Sequence, residues 1–311
     1  MSGAYTHITL ENVMAEPERL EGIPDFPEDA IVTILDFFKF CELGAVSPDY
    51  PYLALDDSGA AVWADEMHYT RTGEMIHSGI NHLREMEGEA QQKGLAWLLG
   101  YAAHVTTDVT IHPVVMMKVG PYEENKSGHR ICEMNMDAYI FQRLNLGDIG
   151  LSEHLDSGIA MCGDSDDPDM LDPDVKGLWE KMFQDVYPDE FESNPPDIDK
   201  WHRRFKVMVG DIASCGNTLM PIARHVAANK GLVYPLKDEV DMEYIEDLET
   251  PESPIHFDDL FDRAVTNIEG MWSLVARAVL AGDDSYLEQI GNWNLDTGRD
   301  ENDQLIYWEG E

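Results

Sequence analysis

Positive charge is scarce in this chain: 21 Lys and Arg stand against 61 Asp and Glu in 311 residues, a formal net charge of -40 at pH 7. A field of that sign repels phosphate backbones and anionic lipid surfaces, which argues against a long nucleic acid as partner. Cysteine is sparse too. Cys41, Cys132, Cys162 and Cys215 are scattered without a CxxC pair, which argues against a disulfide scaffold and leads us to expect reduced thiols in a cytoplasmic protein. No run approaches the ~20 uninterrupted apolar residues of a membrane span. The most apolar stretch, GLAWLLGYAAHVTTDVTIHPVVMM, is interrupted by His104, Asp108 and His112. The opening MSGAYTHITLENVMAEPERLEG has neither a basic flank nor an apolar core, so no signal peptide is expected. Alternating apolar–polar runs long enough for a sheet core are missing as well.

What is present is helical patterning in a chain that is 43% hydrophobic, apolar enough for a globular fold. Apolar spacing predicts helices over 29–44 (closed by Gly44), 72–86, 89–111 (ended or kinked by Pro113), 129–144, near 200–230, and 257–282. The segments 47–61, 120–128, 164–174 and 187–200 read as loops, and a polar tail begins at 283. The expected fold is all-α, a multi-helix bundle with long acidic loops. Residues 1–145 would form a metal-binding helical core, with 146–311 adding acidic loops and further helices packed into the same domain.

Chemistry concentrates in His104-x3-Asp108-x3-His112. A helix turns about 100° per residue, so each four-residue step moves a side chain only about 40° around the axis and the three groups share one face. Their neighbours Leu98, Leu99, Ala102, Ala103, Val105, Val109 and Ile111 bury that face. A buried carboxylate beside two imidazoles must be paired or ligate a metal, so a hydrogen-bonded His–Asp core and a metal site both stand. His129-x3-Glu133-x3-Asp137 repeats the arrangement on the next helix. Two such helices can turn their faces together, as bundles do when they build multi-metal sites. Nitrogen-plus-carboxylate sets suit Zn²⁺, with Fe or Mn as alternatives. His77 and His82 read as surface or core-edge groups of an amphipathic helix, and His154, His202, His225 and His256 have no spaced ligand partners, so none of the six receives a role.

The full order is Thr6-His7, Pro48-Asp49-Tyr50, His68-Tyr69, Leu99-Gly100-Tyr101 leading into His104-x3-Asp108-x3-His112-Pro113, then His129-x3-Glu133. This order resembles the zinc-dependent phospholipase C family, related to the P1-type nucleases, over about residues 1–145. The resemblance implies an all-helical fold holding two or three zinc ions. Asp49, His68, His104 and Asp108 would surround one ion, and His112, His129 and Glu133 a second. His7 would serve a third, sharing Asp108 and completed in the family by the mature N-terminal amine, a role that Gly3 would assist by allowing a turn. Asp49 would also orient or deprotonate the attacking water, Tyr50 would line the substrate pocket, and Asp137 would orient a ligand histidine. The implied activity is hydrolysis of a small phosphate ester or phospholipid. A P1-type nuclease and a non-catalytic or repurposed metal-binding protein are the alternatives.

Overall fold

The computed structural model describes residues 3–54, 57–147, 149, 158–216 and 233–309. Among them are twelve α-helices: α1 (Ala4–Met14), α2 (Pro17–Gly22), α3 (Glu28–Val46), α4 (Ser58–Tyr69), α5 (Thr72–Arg84), α6 (Gly88–Val119), α7 (Lys126–Ile140), α8 (Pro173–Val186), α9 (Pro188–Ser193), α10 (Ile198–Gly216), α11 (Phe257–Ala281) and α12 (Tyr286–Gln289). The strands are two-residue pieces, β1 (Trp293–Asn294) and β2 (Arg299–Asp300), paired antiparallel. The fold is all-α. None of the described helices is long and apolar enough to cross a membrane.

The centre of the molecule is α6. Every residue from Gly94 to Val115 on it is buried, and α3, α11, α5, α8, α7 and α1 all pack against it. Two of its buried hydroxyls are satisfied locally: Thr106 Oγ1 donates to the Ala102 carbonyl at 2.9 Å and Thr110 Oγ1 to the Thr106 carbonyl at 2.7 Å.

Two glycines bring α3 and α6 together. A Cβ on Gly44 would lie 2.0 Å from the Trp97 carbonyl, and one on Gly100 would lie 1.9 Å from the Cys41 carbonyl. Gly44 is therefore not the cap expected for 29–44; it sits inside a helix that runs on to Val46 and then into a 3-10 turn, Ser47–Leu53. We expect Gly100→Ala to cost about 1–3 kcal/mol of stability, because backbone rather than a flexible side chain must move. Denaturant unfolding of the variant checks this, and an unchanged midpoint would contradict the close crossing.

Other boundaries differ for identifiable reasons. The expected loop 47–61 holds the 3-10 turn and the start of α4, where Asp57 accepts a hydrogen bond from Gly59 N at 3.0 Å. Pro113 neither ends nor breaks α6, which continues to Gly120 in a positive-φ conformation (φ 85°). The expected loop 187–200 contains α9. Of the helix expected near 200–230, residues beyond Gly216 lie outside the described residues, as do His154 and His225.

The polar tail is anchored rather than loose. Trp293, Leu295 and Trp308 are buried, and Trp308 Nε1 donates to the Thr110 carbonyl of α6 at 3.0 Å. Gly298, at φ +68°, lies against α6 where a Cβ would meet Val109 O at 2.6 Å and Pro113 Cγ at 2.5 Å. Pro113 has no N–H to give the Val109 carbonyl, and that stretch of α6 is where the tail docks.

A buried carboxyl in α1 gives the stability a pH signature. Glu11 is fully buried and accepts the Cys41 thiol proton at 2.8 Å. Burial, offset in part by that thiol, raises its pKa to about 8. The folded chain thus holds a proton that the unfolded chain releases above its ordinary range. The stability due to this group is complete below about pH 4.5 and is lost as pH rises through 8. Glu11→Gln should remove that loss, so the gap between variant and parent should widen by about 1 kcal/mol per pH unit from pH 5 to 8. Parallel pH dependences in urea unfolding would contradict it.

Candidate metal centre

Side chains from four elements gather around one carboxylate. Asp108, fully buried on α6, has His7 Nε2 of α1 at 3.3 Å and His112 Nε2 at 3.4 Å from its Oδ1. On its other oxygen, His104 Nε2 lies at 3.2 Å and His68 Nε2 of α4 at 3.8 Å from Oδ2. Asp49, in the 3-10 turn, places Oδ1 3.3 Å from His68 Nε2. The His7 and His104 rings stack with centroids 4.1 Å apart. Two groups have ligand atoms all within 4.8 Å of one another: His7, His104 and Asp108, and Asp49, His68 and His104.

The outer ring nitrogens decide what these histidines can do. His68 Nδ1 lies 2.7 Å from the Ala64 carbonyl, His104 Nδ1 2.8 Å from the Ala45 carbonyl, and His112 Nδ1 2.8 Å from the Leu295 carbonyl. A carbonyl only accepts, so each of these nitrogens carries the hydrogen. The inward Nε2 atoms of His68, His104 and His112 are buried and make no well-formed hydrogen bond among the described residues. When these rings are neutral, the hydrogen on Nδ1 leaves a lone pair on each Nε2, and all three Nε2 atoms lie 3.2–3.4 Å from a carboxylate oxygen. Lone pairs facing an anion in a dry interior repel unless a cation lies between them. Backbone-tethered imidazoles converging with carboxylates are the arrangement that metal sites use, and the residues present fit zinc.

Charge in the cluster follows from the same contacts. Burial, with His104 beside it, lowers His7 to a pKa of about 4, so it is neutral near pH 7, the form in which imidazole ligates. Burial would lower His104 as well, but the Asp108 carboxylate outweighs it and holds His104 above its ordinary value. Burial would raise Asp108; His112, His104 and His7 together keep it well below the usual carboxylate range. Burial also works against ionised Asp49, and His68 and His104 overcome it, leaving the pKa lowered. Asp49 is the member of the two groups that reaches solvent, its side chain 17% exposed against 0–1% for the others.

Not every expected residue joins these groups. His112 faces Asp108, but His112, His129 and Glu133 do not form a compact ligand group among the described residues. His129 Nε2 is tied to the Gly120 carbonyl at 2.6 Å, and its Nδ1 stands 3.8 Å from Glu133 Oε1. Tyr50, expected to line the substrate pocket, is fully buried instead. Its ring stacks on Phe205 and its hydroxyl lies 3.4 Å from His202 Nδ1, so it fills the core.

Asp137 does not orient a histidine. It accepts from Tyr5 N at 3.3 Å, from Thr6 N and Thr6 Oγ1 at 2.7 Å each, and from the Tyr234 hydroxyl at 3.1 Å. It thus caps the start of α1 and positions the helix that carries His7. Gly3 serves that cap: its backbone is extended, at φ -63° and ψ 146°, and a Cβ there would fall 1.9 Å from Asp137 Oδ2.

Sequence reasoning missed the contribution of the tail. Leu295 and Asp296 meet His68 and His112 from residues read as a polar extension. The signal was Trp293, Leu295 and Trp308 among polar neighbours.

Comparison with curated proteins and with solved structures finds no match. Comparison with family models finds zinc dependent phospholipase C, matched over residues 6–188. That span includes His7, Asp49, His68, His104, Asp108, His112, His129 and Glu133. Buried His and Asp groups suited to a metal and a family match over more than half of the chain agree, and the chain belongs to the zinc-dependent phospholipase C family, with the character of a metal-dependent hydrolase.

Proposed function

We propose that the protein hydrolyses small phosphate esters of the phospholipase C class at a centre of two or three zinc ions. The observation that carries this reading is the set of tethered imidazoles whose bare nitrogens converge on Asp108 and Asp49. Asp49, His68, His104 and Asp108 would hold one ion, and His7 would serve another, with Asp108 shared between them. His112, on the Oδ1 side of Asp108, would add to the ligand supply, and His129 and Glu133 would join it only by closing toward His112. Zinc bound there supplies positive charge to phosphoryl oxygens and makes a water easier to deprotonate.

The chain's own residues do the rest. Asp49, ionised and reaching solvent, orients the attacking water and accepts its proton. The carbonyls of Ala45, Ala64 and Leu295 keep the imidazoles from turning, so little reorganisation accompanies the reaction. The large negative charge of the chain supports a small ester over a long polyanion. A cytoplasmic location and the packing of residues 146–311 into the same domain as 1–145 belong to this reading.

The test is an activity panel on zinc-loaded protein of measured stoichiometry: an activated phosphodiester, phospholipid vesicles and single-stranded DNA. Hydrolysis of the diester or the phospholipid, with DNA cleaved at least tenfold more slowly, is expected. Protein carrying two or more zinc ions that hydrolyses none of the three would overturn the proposal. Preferential DNA cleavage would assign the P1-type activity instead.

A further inference from the structure

The histidine farthest along α6 is held by a part of the chain that the family match does not cover. Beyond residue 188, the turn Asn294–Gly298 uses one residue to touch two candidate ligands. The Leu295 N–H donates to the His68 carbonyl at 2.9 Å, and the Leu295 carbonyl accepts from His112 Nδ1 at 2.8 Å. Next to it, Asp296 accepts the Tyr69 hydroxyl on Oδ2 at 3.0 Å and brings Oδ1 to 3.8 Å from His112 Nδ1.

The turn is shaped for this place. Asn294 Oδ1 accepts from the backbone N–H groups of Asp296 and Thr297, and Gly298 N–H closes on the Asn294 carbonyl at 2.9 Å. Gly298 leaves no room for a Cβ against Val109 and Pro113. Leu295 is fully buried, while the Asp296 side chain is 20% exposed.

We propose that this C-terminal turn is a working part of the metal centre, with the main chain of Leu295 positioning His112 and His68 as ligands and Asp296 latching the turn to Tyr69. The inference rests on the zinc reading above. A ring nitrogen held by a carbonyl fixes both tautomer and orientation, and loss of such an outer contact costs a metal site about 10–100-fold in affinity. Asp296 acts through His112 and Tyr69 and is a positioning residue.

Two full-length variants test it. Gly298→Ala pushes the turn off α6, and Asp296→Ala removes the latch from a partly exposed position while leaving the buried turn residues intact. Zinc affinity is measured by competition with a chromophoric chelator, melting temperature with and without zinc, and the His112 Nδ1–H by its downfield proton resonance. The expected result for both variants is weaker zinc binding, by about 10–100-fold for Gly298→Ala, and an altered His112 resonance. For Asp296→Ala the zinc-free melting temperature should match the parent. Parental zinc affinity in both variants overturns the inference while leaving the zinc reading standing, even if melting temperatures fall with and without metal. A parent that binds no zinc overturns both.

Discussion

Asp108→Asn should be the most damaging single substitution in the protein. Both carboxylate oxygens are engaged, Oδ1 toward His7 and His112 and Oδ2 toward His104 and His68. An amide keeps the shape but removes the negative charge and offers one oxygen where two are used. Zinc content should fall by more than one ion per chain, and activity by about 10²–10³-fold or more, the scale on which a central electrostatic contact acts. Glu133→Gln is the internal comparison and should cost at most one ion, because Glu133, 3.8 Å from His129 Nδ1, lies outside the two compact ligand groups around Asp108 and Asp49. Elemental analysis of both variants beside the parent decides the matter. Equal losses for the two would contradict the bridging role of Asp108.

The second large effect should come from Asp49, with the opposite division between binding and rate. Asp49→Asn keeps an oxygen near His68 but cannot accept a proton from water. We expect kcat on an activated phosphodiester to fall about 10²–10⁴-fold, with most of the zinc retained and KM little changed. A group that handles the proton matters more in the transition state than in the resting site. The kcat and KM of metal-replete variant protein separate the roles. A parental rate would make Asp49 a turn residue or a simple ligand, and zinc loss in proportion to activity would make it structural.

The residues that could be read from the sequence are those whose types are unusual for their surroundings. His104, Asp108 and His112 stand out because a buried helix has few reasons to carry three polar groups on one face, and α6 holds them fully buried. What could not be read depends on backbone or on distance. The carbonyls of Ala45, Ala64 and Leu295 fix the imidazoles, yet every residue has a carbonyl, so no letter announces them. Gly44 looks like a helix cap and Gly100 like any glycine inside a helix until the crossing of α3 on α6 is known. Asp137 has the right four-residue spacing from Glu133, but spacing cannot say that the start of α1 arrives there with N–H groups that donate to it. Tyr50 follows Asp49 directly and still packs away into the core with Phe205. Adjacency in sequence gave no guide to which way its ring faces.

The central claim is that these side chains hold zinc, and elemental analysis of the purified full-length protein tests it most directly. The measurement is metal per chain, paired with melting temperature before and after exhaustive chelation. Two or more zinc ions per chain and a clear drop in melting temperature on chelation are predicted, because removing the ions leaves bare imidazole nitrogens facing buried carboxylates. A metal-free chain that keeps its melting temperature in excess chelator would contradict the account and leave Asp108 as the hub of a protonated, hydrogen-bonded histidine core.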